Sequence, residues 1–242
     1  MNFHEGAFIY VNKPYRMSSF GALAFVRTRL SKKLRVKRLK TGHAGTLDPL
    51  ATGVLILCTG KATKKIESLQ LQSKEYTATL QLGATTPSFD REHTVDMTYP
   101  TKHITRELIL QVLKQFEGDI MQVPPVYSAV MVDGYRAYHL ARKGDEVELK
   151  AKPVRIDEIE LTDFNPDTMQ MSIRVACGKG TYIRSLARDI GKALNSGAFL
   201  TALCRTRLGQ VRIEDCVKLD EFNEWLEKQD IEDLRSKETA NN

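Results

Sequence analysis

The run Val54–Cys58, VLILC, closed off by Gly53 and Gly60, constrains the fold of this 242-residue chain more than any other stretch. Five consecutive apolar residues between glycines suit a strand buried on both faces, since a strand with one wet face would alternate. Just upstream lies a segment of opposite character, TGHAGTLDPLATG, with Gly42, Gly45 and Gly53, one histidine, and one carboxylate, Asp48, between Leu47 and Pro49. Pro49 biases Asp48 toward an extended backbone, and the glycines allow positive backbone angles and close approach of another molecule. The stretch therefore presents a lone carboxylate from a shaped loop anchored to the core. Asp before Pro is also ordinary turn chemistry, so the residues alone leave a structural aspartate open. A phosphate-binding loop is excluded by spacing: six residues separate Gly53 from Gly60, and Ala62 stands where a magnesium-binding hydroxyl is required.

Length favours one main domain with a sizeable core. Charge is unevenly spread: the net +6 divides into +12 over residues 1–213 and an acidic segment, 214–242, with ten acids and four bases. Arg27 to Lys40 holds eight Lys or Arg and no acid, which favours a polyanion such as nucleic acid over a small acidic metabolite. Cys58, Cys177, Cys204 and Cys216 are scattered, with neither zinc spacing nor a dense disulfide framework. No metal site is expected. Without a leader or an apolar run long enough to span a bilayer, the expected location is cytoplasmic.

Along the chain, Phe8–Val11 reads as a strand that runs into NKPYRMSS, where Ser18 or Ser19 can cap a helix carrying Leu23, Val26 and Leu30 on one face. In KEYTATLQLGATTPSFD, Ala78, Leu80 and Leu82 alternate as a half-buried strand that begins near Tyr76. Thr105 caps a predicted helix with Leu108, Ile109, Val112, Leu113 and Phe116 inward, ended by Gly118. The block 124–152 interleaves Tyr127, Tyr135 and Tyr138 with Arg136, Arg142 and Lys143, a composition suited to stacking bases and tracking phosphates, or to tyrosine-rich core strands. Val154–Phe164 and Met171–Cys177 alternate as neighbouring strands. Past the glycine turn of CGKGTYIRSLARDIGKAL, a helix places Ile183, Leu186, Ala187, Ile190 and Leu194 inward. Arg184, near that helix start, opposes the helix dipole, which calls for a carboxylate or phosphate partner. The last element predicted is an acidic amphipathic helix, Lys218–Leu234, with Asp220 as cap and Trp225 as anchor.

GHAGTLDPLATGVL matches, nearly letter for letter, the signature of the TruB family of tRNA pseudouridine-55 synthases, and NKPYRMSS, KxYxxxxxLGxxTxxxD and GTYIRSLxxDxG follow that family in the same order. The resemblance covers roughly residues 7–210. It implies an α/β fold with a mixed, largely antiparallel sheet flanked by helices, and a catalytic domain over 1–213 with an RNA-gripping insertion at about 124–152. It also implies conversion of a tRNA T-loop uridine to pseudouridine with no cofactor, no guide RNA and a monomeric enzyme. By position, Asp48 inherits the role of nucleophile, Tyr76 that of the residue stacking on the base and moving a proton, and Arg184 that of charge partner to Asp48. Tyr182 and Leu203 inherit the pocket lining, and His43 is a candidate to fill the space left by the flipped base or to contact the RNA, or else a brace for its loop. Arg16 stands where the family usually has glycine, which leaves the local backbone angle open. The chain stops too soon for a full RNA-binding domain of the kind many relatives carry at their C-terminus. Two other classes compete: a catalytically silent tRNA-binding module, and a nucleotide-dependent enzyme.

Overall fold

The structure, a computed structural model, describes residues 1–128, 130–132, 134–139 and 148–231. Arg142, Lys143 and residues 232–242 of the acidic tail lie outside them. In chain order the elements are β1 Phe8–Lys13, α1 Ser19–Leu34, β2 Thr41–Ala44, β3 Thr52–Thr59, α2 Ile66–Leu71, β4 Lys74–Leu82, β5 Ala84–Thr85 and β6 Met97–Thr98. They continue with α3 Arg106–Leu113, β7 Gly118–Gln122, β8 Met131–Val132, β9 Tyr135–Arg136, β10 Lys152–Asn165, β11 Gln170–Cys177, α4 Ile183–Ala193 and β12 Ala198–Leu208. Short β13 Val211–Arg212, β14 Val217–Lys218 and α5 Phe222–Glu227 close the described chain. Pairing is mostly antiparallel, giving the mixed α/β class that the sequence implies. The chain forms two compact units, one of residues 1–72 with 204–242 and one of residues 73–203, and β12 runs from the second into the first.

In the first unit β3 is central. It pairs antiparallel with β1 from Phe8↔Cys58 to Lys13↔Gly53, antiparallel with β2, and parallel with β12 at Cys204↔Thr52 and Arg205↔Gly53. Seven of its eight residues are buried, because alternate side chains enter two different cores. Leu55 and Leu57 pack with Ile9, Val11 and the α1 residues Leu23, Val26 and Leu30, while Val54, Ile56 and Cys58 pack with Ala44, Ala62 and Leu208. Each such aliphatic side chain contributes about 1.5–3 kcal/mol on burial, so the five-residue apolar run accounts for both faces of the strand. Ser18 caps α1 by accepting from the Gly21 amide at 2.9 Å, and Arg35 ends it in the left-handed region.

In the second unit the strands lie in the order β12, β4, β11, β10, β7. β4 and β11 pair in continuous register, Tyr76 opposite Val175, and β10 carries two irregularities against β11 that bend the long hairpin. The turn at Asn165 forms as its residues require: the Asn165 side chain accepts from the amides of Asp167 and Thr168 at 3.0 and 3.1 Å. Thr105 caps α3, accepting from the Leu108 amide.

Two elements differ from the predicted ones. The helix at Thr105 is α-helical only to Leu113 and tightens into a 3₁₀ turn over Lys114–Phe116 before Gly118, whose positive φ of 91° begins β7. The predicted C-terminal helix is shorter than Lys218–Leu234, with residues 232–234 of that range outside the described ones. Val217 and Lys218 instead pair parallel with Val11 and Asn12, and Leu219 enters the core. Asp220 turns its carboxylate to the Glu221 amide at 3.0 Å, and the helix occupies Phe222–Glu227 only. Tertiary pairing claims the first residues of the predicted helix. Phe222 and Leu226 anchor it, with Trp225 stacked on Phe222 at 5.3 Å between ring centroids.

Candidate active site

The Asp48 loop is held from three directions by buried polar groups of the first unit. Ser19, predicted as an alternative cap, sits inside: its hydroxyl accepts from the Leu47 amide at 2.8 Å and donates to the Leu47 carbonyl at 3.0 Å. The Ala51 amide donates to the Asp48 carbonyl at 3.0 Å, closing a turn across Pro49 and Leu50. Lys13 is 0% exposed, and its ammonium donates to the carbonyls of Pro14 at 2.9 Å and Met17 at 2.6 Å, with a longer contact to Pro49 at 3.4 Å. Arg205 is 1% exposed. Its Nε donates to the Val54 carbonyl at 2.8 Å and an Nη to the Gly45 carbonyl at 3.0 Å, so one guanidinium ties the chain before Asp48 to the chain after it. Asp48 itself is half-buried.

Gly53 shows why this stretch tolerates so little. Its φ is 104°, and a Cβ there would lie 2.2 Å from the Arg205 carbonyl oxygen. It lies opposite Lys13 on one neighbouring strand and opposite Arg205 on the other. Only glycine fits between two strands that both carry buried cations. Burial lowers the Lys13 pKa to about 8, although the Asp48 charge pulls it upward. Burial, with Arg205 adding to it, also lowers the His43 pKa, so this imidazole is neutral at pH 7. His43 lies on β2 opposite Leu57, and its buried Nδ1 has no hydrogen-bond partner among the described residues.

Tyr76, Tyr182, Arg184 and Leu203 belong to the second unit. Tyr76 is buried on the inward face of β4, and Leu203 is half-buried on β12. Tyr182 is the residue before α4, placed by its amide donating to the Gln122 side chain at 2.8 Å. Arg184, in the first turn of α4, is buried rather than on a wet face. It donates to the carbonyls of Ser88 at 3.2 Å and Tyr127 at 2.9 Å, and its Nε lies 3.8 Å from the Asp90 carboxylate. Asp90 is thus a carboxylate beside this guanidinium, at ion-pair rather than hydrogen-bond distance. Asp90 is aligned in turn by the Ser88 hydroxyl at 2.6 Å and the Glu92 amide at 2.9 Å. Next on the helix, Ser185 and Arg188 both donate to the Val123 carbonyl, and the Arg188 guanidinium stands 5.0 Å from the Phe89 ring centroid.

Sequence reasoning missed Lys13, Ser19, Arg205 and Asp90 as parts of this machinery. Lys13 and Asp90 do lie inside the motifs, as the lysine of NKPYRMSS and the last residue of KEYTATLQLGATTPSFD. Arg205 is one of two arginines in LCRTRLG, and nothing in its spacing marks it as the buried one. The angle left open at Arg16 is resolved: φ is 61°, the left-handed region, which costs a side-chain-bearing residue about 1–2 kcal/mol. Among the described residues, no three His, Cys, Asp or Glu side chains come together as metal ligands, and no helix is long and apolar enough to cross a membrane.

Residues 31–183 match the sequence profile of the TruB family pseudouridylate synthase N-terminal domain, and residues 184–237 match that of the tRNA pseudouridylate synthase B C-terminal domain. The chain belongs to the TruB family. Within it, the chain is 61% identical over 234 residues to tRNA pseudouridine synthase B of Phocaeicola vulgatus, covering 97% of this chain and 99% of that one. The protein of the same name from Flavobacterium johnsoniae is 48% identical over 92% of this chain and 97% of its own length. Among solved structures, this TruB-family chain is similar to one in a Cbf5-Nop10-Gar1 complex, with a TM-score of 0.66 and 29% identity over 93% of the present chain. It spans 56% of that solved chain.

Proposed function

We propose that this TruB-family enzyme isomerises uridine 55 in the T-loop of tRNA to pseudouridine, with Asp48 as nucleophile. The reading is carried by the Asp48 loop, in which a single carboxylate stands on a backbone fixed by Ser19, Lys13 and Arg205. The reaction breaks the bond between base nitrogen 1 and ribose carbon 1′, turns the base over and rejoins it through carbon 5, which loses a proton as nitrogen 1 gains one. No electrons or groups enter or leave, so neither a cofactor nor a metal is needed. The Asp48 carboxylate holds base or sugar covalently while the bond is broken. Tyr76 stacks on the base and moves the proton, Arg184 serves as charge partner to Asp48, and Tyr182 and Leu203 line the pocket. The target base is stacked in the folded T-loop, so it is extruded first, at a cost of a few kcal/mol, and His43, neutral, fills the vacated stack.

Recognition is local to the T-arm. In the first unit a cleft of about 760 Å³ is lined by Arg27, Thr28, Ser31, Lys37, Arg38, Leu39 and Lys40, and its cations suit an RNA backbone. The enzyme acts as a monomer in the cytoplasm without a guide RNA. The experiment is tritium release from [5-³H]uridine in unmodified tRNA, and in an isolated T-arm hairpin. Both substrates are expected to release label with comparable catalytic efficiency. Binding without release would leave a silent RNA-binding module, and an inert hairpin beside a reactive tRNA would overturn local recognition.

A further inference from the structure

The turn between β1 and α1 is strained and decorated in a way that the isomerisation chemistry leaves unexplained. Arg16 holds φ at 61° although it is exposed and carries a full side chain, and its guanidinium stands over the Tyr15 ring, 5.6 Å from the centroid. Tyr15 is 46% exposed. Five residues after Tyr15, at the start of α1, Phe20 is 63% exposed, and Arg27 reaches over its ring at 5.9 Å. Arg27 also lines the basic cleft with Lys37, Arg38 and Lys40. Exposed rings each paired with a guanidinium, on a surface leading into a cluster of cations, are the elements that grip looped or single-stranded RNA: flat faces for bases or ribose, and positive charge for phosphates.

The turn is also rigid. Lys13 binds the carbonyls of Pro14 and Met17, the residues flanking Tyr15 and Arg16, and the same ammonium contacts the Pro49 carbonyl beside Asp48. Ser19 closes the linkage by bonding both backbone groups of Leu47. The Tyr15–Arg16 step is therefore the crest of a turn locked to the nucleophile's loop, and a left-handed arginine there is retained at a cost that glycine would avoid.

We propose that Tyr15 and Arg16, continued by Phe20 and Arg27 along α1, form a platform for the RNA strand flanking the flipped uridine. Tyr15 and Phe20 stack on exposed bases or ribose, and Arg16 and Arg27 pair with phosphates. This rests on the RNA substrate proposed above and adds where that strand runs.

The test is equilibrium binding of the T-arm hairpin to Arg16→Gly, Tyr15→Ala and Phe20→Ala in an Asp48→Asn background, across salt concentration. Arg16→Gly is the decisive variant because it relieves the positive φ, and a thermal melt at or above that of the parent shows that it folds. It is expected to raise Kd about three- to tenfold and to make the slope of log K against log salt less negative by about 0.7–0.9, one phosphate contact. Tyr15→Ala and Phe20→Ala are expected to weaken binding with the slope unchanged. Arg16→Lys should restore the slope. An unaltered Kd and slope in Arg16→Gly would overturn the platform. Tritium release by the parent enzyme is measured alongside, so a failure of the isomerase reading is seen separately from a failure of this one.

Discussion

The Asp48 loop and the start of α4 are both built around buried cations, and they hold them differently. At the loop, Lys13 and Arg205 donate to backbone carbonyls: Pro14, Met17 and Pro49 for one, Gly45 and Val54 for the other. At α4, Arg184 also takes two carbonyls but lies beside the carboxylate of Asp90. A carbonyl satisfies a donor without cancelling its charge, whereas a carboxylate does both. The loop is therefore fixed in shape by groups that remain electrostatically active, and the charge on Lys13 and that on Asp48 act on each other. The α4 guanidinium is held as one member of an ion pair. The difference teaches that the first region fixes a loop's backbone with cations that keep their charge, and that the second holds one guanidinium in a fixed orientation beside a carboxylate.

The strongest way to break this contrast is Asp48→Asn. Turnover is expected to fall more than a thousandfold, about 4 kcal/mol of barrier, with tRNA affinity within threefold, read by single-turnover tritium release and filter binding. A loss of less than tenfold, about 1.4 kcal/mol, would remove Asp48 as nucleophile.

Next in size is Arg184→Lys, which keeps the charge and loses the planar fork that reaches two carbonyls and a carboxylate together. We expect a rate loss of about a hundredfold, or ~2.7 kcal/mol. Asp90→Asn should lower the rate less, and its main effect should be on the urea midpoint, because the buried guanidinium loses its counter-charge. Equal rates for the two variants would show that fixed orientation at α4 is unimportant.

Arg205→Met sharpens the other side. It leaves the buried Val54 carbonyl and the half-buried Gly45 carbonyl without this donor, and we expect about 2–4 kcal/mol of destabilisation in urea unfolding together with a roughly tenfold slower reaction. Full activity in a destabilised variant would mean that the loop keeps its shape without the guanidinium.

The smallest effect expected is a pH dependence from Lys13. Its folded pKa of about 8 lies below the ordinary lysine value, so between about pH 8 and 10.5 the unfolded chain holds the extra proton. Linkage then makes this group's contribution to folding more favourable as pH rises through that window. The reaction should nevertheless slow above about pH 8 by several-fold, because deprotonation removes a donor from the turn and positive charge from beside Asp48. Single-turnover rates set against urea midpoints over pH 7–10 separate the two. A decline in rate that merely follows a decline in stability would rule the linkage out.

Periodicity and punctuation alone determined much of this protein. The two-faced strand β3, the capped helices α1 and α3, the β10–β11 hairpin and the inward face of α4 all follow from local rules, because each is set by which residues within a few positions must avoid water. The roles proposed for Asp48, Tyr76, Tyr182 and Arg184 come from the family resemblance of their motifs, since residue by residue an aspartate before proline is also ordinary turn chemistry and a tyrosine at a strand start also an ordinary β-former. Tertiary structure decided the supporting groups. Lys13 and Arg205 read as ordinary surface cations among 36 lysines and arginines, and only the register of β1 and β12 against Gly53 makes them buried. Asp90 became the partner of Arg184 through a separation of 94 positions that no local rule spans. The C-terminal helix is shorter than its local pattern predicts for the same reason: pairing of Val217 and Lys218 with a strand some two hundred residues earlier outweighs a local helical pattern. Local sequence settles which faces are apolar, and long-range pairing settles which charges are sealed behind them.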